Sequence, residues 1–175
     1  MENSSVKAAT ILGAEYLREL NAEAKATREC LENVPMDKPD WKPHEKSMQL
    51  GYLAVLVADI LRWIQYMIET GEVDFETYEQ FQAKTNEELL QHFDEVMDKA
   101  RKALANMTTE DLTKDFVLKH GDKIIMTSPV GEMISSTINH LVHHRGQLTV
   151  YLRLNDEKVP SIYGPSADAG GFGNL

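Results

Sequence analysis

Apolar residues recur at spacings of three and four over four long stretches of this chain, which predicts four amphipathic helices. The first runs from about Val6 to Asn33, with Ser4 or Ser5 as its cap and a stripe of Ala9, Leu12, Tyr16, Leu20, Ala24, Thr27 and Leu31. Pro35, Pro39 and Pro43 then stop the helix and impose an extended connection. The second helix runs from about Ser47 to Thr70, with Gly71 as its stop. Leu50, Leu53, Val55, Leu56, Val57, Ile60, Leu61 and Ile64 cover most of its faces, so it is expected at the centre of the fold. Between Lys46 and Arg62 its only charged residue is Asp59. A polar connection over 71–83 carries Phe75, Tyr78 and Phe81. The third helix is predicted from Thr85 to Asn106, opened by Thr85 and Glu88 at capping-box spacing and striped by Leu89, Phe93, Val96, Ala100 and Leu104. Two β-prone runs, 115–119 and 123–127, flank His120-Gly121-Asp122 and predict a small hairpin. The fourth helix starts at Ser128-Pro129, serine as cap and proline at the first helical position, and ends near Leu154. Residues 155–175 read as an irregular tail. The predicted fold class is all-α: one domain over residues 1–175, an antiparallel four-helix bundle with a small hairpin insert before the last long helix.

Composition narrows the function classes. A chain of 175 residues is long enough to close one core without disulfides. The net charge of −10 repels phosphate backbones, which excludes nucleic acid as an expected partner and disfavours anionic membranes. No apolar run approaches the roughly 20 residues that span a bilayer. The N-terminal residues lack the basic-then-apolar order of a secretory signal. Cys30 is the only cysteine, so no intramolecular disulfide forms, and a reducing cytoplasm is the expected location. With only Arg28 as a basic neighbour, Cys30 reads as inert.

The chemistry is concentrated in residues 139–147, which hold three of the six histidines. His140 and His144 are one turn apart on the same face, in the stripe Met133, Thr137, His140, His144, Leu148 and Tyr151, so both are expected to point at the core. Two imidazoles at this spacing form a bidentate site for a divalent transition metal, and a catalytic centre adds a third protein ligand and an open position for water. A pair of hydrogen-bonded core histidines satisfies the same spacing. His143 lies to the side, and His92 and His120 read as surface residues. Arg145 reads as structural, through a salt bridge or a contact with the tail. Gln147 reads either as a hydrogen-bonding support for a ligand histidine or as polar surface. Gly146 in mid-helix costs about 1 kcal/mol relative to alanine and reads as permitting close helix approach.

The stretch HLVHHRGQLTVYLR over 140–153, followed by VPSIYGPSAD over 159–168, resembles the C-terminal signature of the DinB family. The segment WKPHEKSMQLGYLA over 41–54 and the helix order agree, and the resemblance covers about residues 6–168. It implies a four-helix bundle that forms a homodimer and holds a divalent metal, nickel or zinc, through three histidines. It also implies hydrolase or thiol-dependent transferase activity on a small molecule, in a stress-related setting. His140 and His144 match the family's two histidines on the last helix. The third belongs on the second helix in a Leu-Ala-x-His pattern, and here that position is Leu56, which cannot ligate. Asp59 stands nearly one turn further along. It is either a substitute ligand or, as buried acids more often are, the partner of an arginine, Arg62 or Arg145. The candidate metal ligands are therefore His140, His144 and Asp59. Two functions follow: a metal-dependent enzyme, or a metal-free, non-catalytic dimer that binds or scaffolds. A cavity lined by His140, His144 and Asp59 favours the first, and Leu56 favours the second.

Overall fold

The structure is a computed structural model and describes residues 11–170. The cap and first turn predicted for the first helix lie outside the described residues. Helix α1 spans Ile11–Glu32 and buries Leu20, Ala24, Thr27 and Leu31 of its predicted stripe. Helix α4 spans Asn86–Asn106, and Leu89, Phe93, Val96, Ala100 and Leu104 are all buried. Half of the predicted capping box forms: Thr85 Oγ1 accepts from Glu88 N at 3.2 Å, whereas Glu88 Oε2 accepts from Lys84 N at 2.7 Å. Helix α6 spans Val130–Leu154. The α1 and α4 helices pack along each other, and α6 packs against α1.

The second predicted helix is broken in two. Helix α2 spans Leu50–Asp59 and α3 spans Arg62–Glu69, bent by 40°. No proline or glycine marks the break. Instead the turn tightens to three-residue hydrogen bonds, Trp63 N to Ile60 O at 3.3 Å and Ile64 N to Leu61 O at 3.1 Å. Both pieces are central as expected, lying between α4 and α6. The proline-bearing segment folds back over the start of α2. Leu50 N and Gly51 N donate to Trp41 O and Pro39 O at 2.8 and 2.9 Å, so two of the helix's first N–H groups find partners there. A Cβ at Gly51 would lie 2.9 Å from the Pro39 Cβ, so only glycine allows this approach.

The all-α prediction is corrected: the helical body carries a three-stranded mixed sheet in the order β1-β2-β3. Strand β1, Glu72–Asp74, lies inside the predicted polar connection and pairs in parallel with β2, Asp115–His120. Strand β3, Lys123–Pro129, completes the expected hairpin around Gly121 and Asp122, and Gly121 takes a φ of 56°. Because β3 pairs as far as Ser128 and Pro129, Ser128 is a strand residue rather than a helix cap. Pro129 precedes the first turn of α6 instead of occupying it. A short helix α5, Thr109–Thr113, was not expected; it is closed by a reciprocal capping box between Thr108 and Asp111. No single helix among the described residues is long and apolar enough to cross a membrane. The bent α2–α3 pair is apolar enough together, and its apolar residues form the centre of the core.

Candidate functional site

Between α2–α3, α6 and the segment after β1 lies a cavity of about 550 Å³. Its walls are mostly apolar, with Tyr52, Leu56, Ile60, Trp63, Phe75 and Met133 among them. His140, His144 and Asp59 all line it, as the first of the two expected functions requires. The bend at residues 60–61 turns α3 relative to α2, and both helices contribute to the wall.

His144 is buried, whereas His140 is exposed at the cavity mouth, so only one of the pair reaches the core as expected. Their Nε2 atoms are 2.7 Å apart. His144 Nδ1 lies 2.8 Å from Gln147 Oε1, and an amide oxygen only accepts, so Nδ1 carries the proton. In the same amide orientation Gln147 Nε2 lies 3.1 Å from His143 Nε2, to which it donates. His144 Nε2 therefore presents a lone pair, and His140 Nε2–H donates to it. Gln147 holds His144, the first of the two roles expected for it. Burial, then the neighbouring His144 and His143, keep the His140 imidazole below its usual pKa.

Asp59 sits in a different network. Its Oδ2 accepts from Tyr78 OH at 2.6 Å and Arg62 Nη2 at 2.9 Å, and its Oδ1 accepts from His92 Nε2 at 2.6 Å. Tyr78 OH also accepts from Arg62 Nε at 3.1 Å and Trp63 Nε1 at 3.3 Å. His92 is therefore not the surface residue predicted: it is largely buried and stacks flat on Phe81, ring centroids 3.6 Å apart. One signal for it existed, since His92 falls between Leu89 and Val96 at helical spacing on the shoulder of a buried stripe. Burial works against the Asp59 charge. The hydrogen bonds from His92 and Tyr78 and the Arg62 charge outweigh it and hold the carboxyl below its ordinary pKa. Burial, then the bond to Asp59, push the Tyr78 phenol up to about 12. Of the two partners expected for Asp59, Arg62 is the one found.

Arg145 is occupied elsewhere. Its guanidinium pairs with Glu23 at 2.6 Å, donates to Thr27 Oγ1 at 3.0 Å and reaches Tyr163 OH in the tail at 3.0 Å. Tyr163 OH in turn donates to Glu23. Asp168 pairs with Arg153 and accepts from Val159 N at 2.9 Å. The arginine of the last helix and the tail motif thus tie the tail to α1 and α6. Cys30 is buried, and burial pushes its thiol up to about 11, in keeping with an inert cysteine. Gly146 has no described atom within 4 Å of an added Cβ, so the close helix approach expected there is not made within the described residues.

The fit of a metal follows from these contacts. The two Nε2 atoms converge, and tetrahedral bonds of about 2.0–2.1 Å would need them further apart, at about 3.3 Å. Leu56, in the same cavity lining, cannot ligate, and both Asp59 oxygens are engaged. Among the described residues no group of three or more histidine, cysteine, aspartate or glutamate side chains is placed to hold a metal ion. The donor set does not fit a metal centre with three protein ligands.

A mostly helical body with a small sheet and a histidine-lined cavity defines the class of protein. Comparison with known proteins gives the family: the DinB family model matches residues 1–170, and the chain belongs to that family. The fold is similar to a DinB-like protein, YjoA, of Bacillus subtilis, with a TM-score of 0.68, 19% identity, and 87% of this chain and 99% of that one covered. It is also similar to a DinB-like protein of Bacillus cereus, with a TM-score of 0.66, 23% identity, and 89% and 99% covered. The uncharacterized protein YrdA of Bacillus subtilis is 45% identical over 40 residues, 23% of this chain and 24% of that relative's length.

Proposed function

We propose that this protein is a small-molecule-binding member of the DinB family that works without a resident metal. The observation that carries the reading is the pairing of a cavity with an incomplete donor set: about 550 Å³, mostly apolar, lined by His140 and His144 and by Leu56, which cannot ligate. Cavities of this size and lining suit small organic molecules. A second reading, a metal-dependent hydrolase or thiol transferase, has one observation in its favour. The Nε2 atoms of His140 and His144 converge, and Gln147 fixes the lone pair on His144. Nickel or zinc held there would draw its third donor from outside the chain.

The test is the metal content of the full, untagged chain after exposure to excess zinc and nickel, beside the His140→Ala/His144→Ala double variant. The expected result is no stoichiometric metal in either. Leu56→His supplies a third imidazole on the facing helix and is expected to take up metal, which shows that the assay detects a completed site. Stoichiometric metal in the unaltered chain that is lost in the double variant overturns the metal-free reading in favour of the second.

A further inference from the structure

The polar groups around the cavity divide into spent and available ones, and Tyr52, Gln80, Ser136 and Thr137 add uncharged hydrogen-bonding groups to its lining beside the histidines. Tyr78 is saturated by Asp59, Arg62 and Trp63, and Asp59 already holds three donors, from Tyr78, Arg62 and His92. No lysine or arginine is among the described residues that line the cavity. An entering carboxylate or phosphate would lose its water, meet no cation and approach the Asp59 charge, which is costly. An entering cation would find the one carboxylate already paired. The aromatic and aliphatic walls reward apolar surface instead. At the other end, His144 Nε2 is an acceptor, because Gln147 holds the proton on Nδ1. Its present donor, His140, stands exposed at the mouth and is the side chain an entering molecule can displace.

Taking the cavity as the binding site proposed above, we infer that its ligand is a neutral, mostly apolar molecule, aromatic or alicyclic, with one hydroxyl or N–H donor seated on His144 Nε2. Gln147 is a positioning residue for this contact: it sets which nitrogen of His144 accepts.

Three probes of one shape separate the possibilities: a naphthol, its methyl ether and the matching naphthoate, titrated calorimetrically at neutral pH into the full chain. The naphthol is expected to bind about tenfold more tightly than the ether, the worth of one buried hydrogen bond. The naphthoate is expected to bind weakest. Leu56→Trp, which fills the cavity, is expected to abolish binding of all three while the melting curve shows a folded chain. Gln147→Leu is expected to leave ether affinity unchanged and to erase the preference for the naphthol. Naphthoate binding as tight as naphthol, ether binding as tight as naphthol, or a naphthol preference that survives Gln147→Leu overturns the inference and leaves the cavity standing as a binding site. No binding of any probe overturns the inference, while the metal assay above decides the proposed function separately.

Discussion

Two polar clusters border one cavity, and they differ in how completely their hydrogen-bonding capacity is used. Asp59 takes three donors from three separate elements: His92 on α4, Arg62 on α3 and Tyr78 in the segment after β1. Arg62 also donates to Glu79 O at 2.9 Å and lies over the Tyr78 ring at 4.3 Å, so the cluster holds that segment against the helices. His140 and His144 come from one helix and spend on each other the position that faces the cavity. A saturated buried charge network has no capacity left for a ligand, and removing one member strands the others. A pair whose cavity-facing nitrogens are bonded only to each other, one of its members exposed, can exchange partners there with little loss. By residue type alone, Asp59 and the two histidines look equally able to bind a metal. The count of partners assigns the first to the fold and the others to the site.

The largest effect expected is from Asp59→Ala. It leaves Arg62 without its counter-charge and His92 and Tyr78 without their acceptor. Loss of one partner from such a network costs about 3 kcal/mol. For a chain of this size that lowers the melting temperature by roughly 10 °C. Thermal and denaturant unfolding measure it, and a loss under about 1 kcal/mol would mean that the network is not what holds this end of the cavity.

A smaller effect follows from acid. The folded pKa of Asp59 lies below its ordinary value of 3.8. A group depressed on folding contributes stability that is complete above the unfolded value and lost as the pH falls through the folded one. Stability is therefore expected to fall with pH below about 4, and Asp59→Asn is expected to flatten that limb of the profile. An unchanged slope in Asp59→Asn sinks the assignment.

This division between the clusters also marks how far the chain can be read without its structure. The stripes of α1 and α4 are legible because packing against a core repeats with the helix itself, and the histidine spacing on α6 is legible for the same reason. The break after Asp59 is not, because no proline or glycine encodes it. Strand β1 is three residues long and exists through its pairing with β2, more than forty positions away. Asp59 could be singled out as a lone acid, but two of its partners come from a connection and from α4, which no local pattern brings together. The tail motif is similar: Tyr163 and Asp168 acquire roles only when the tail folds back on Arg145 and Arg153.

The smallest effect is the sharpest check on the comparison. His140 is exposed, and its Nε2 contact is to His144. In His140→Ala, water at the cavity mouth reaches His144 Nε2, and Gln147 continues to hold the other nitrogen. Stability is expected to stay within about 0.5 kcal/mol of the unaltered chain, as for surface substitutions away from special features. The same variant opens the mouth, so naphthol affinity is expected to hold or rise, whereas Asp59→Ala is expected to loosen the wall and weaken it. A loss above about 2 kcal/mol in His140→Ala would place the histidine pair with the Asp59 network as a structural element. The cavity would then select a ligand through its uncharged polar lining, Tyr52, Gln80, Ser136 and Thr137, rather than through His144.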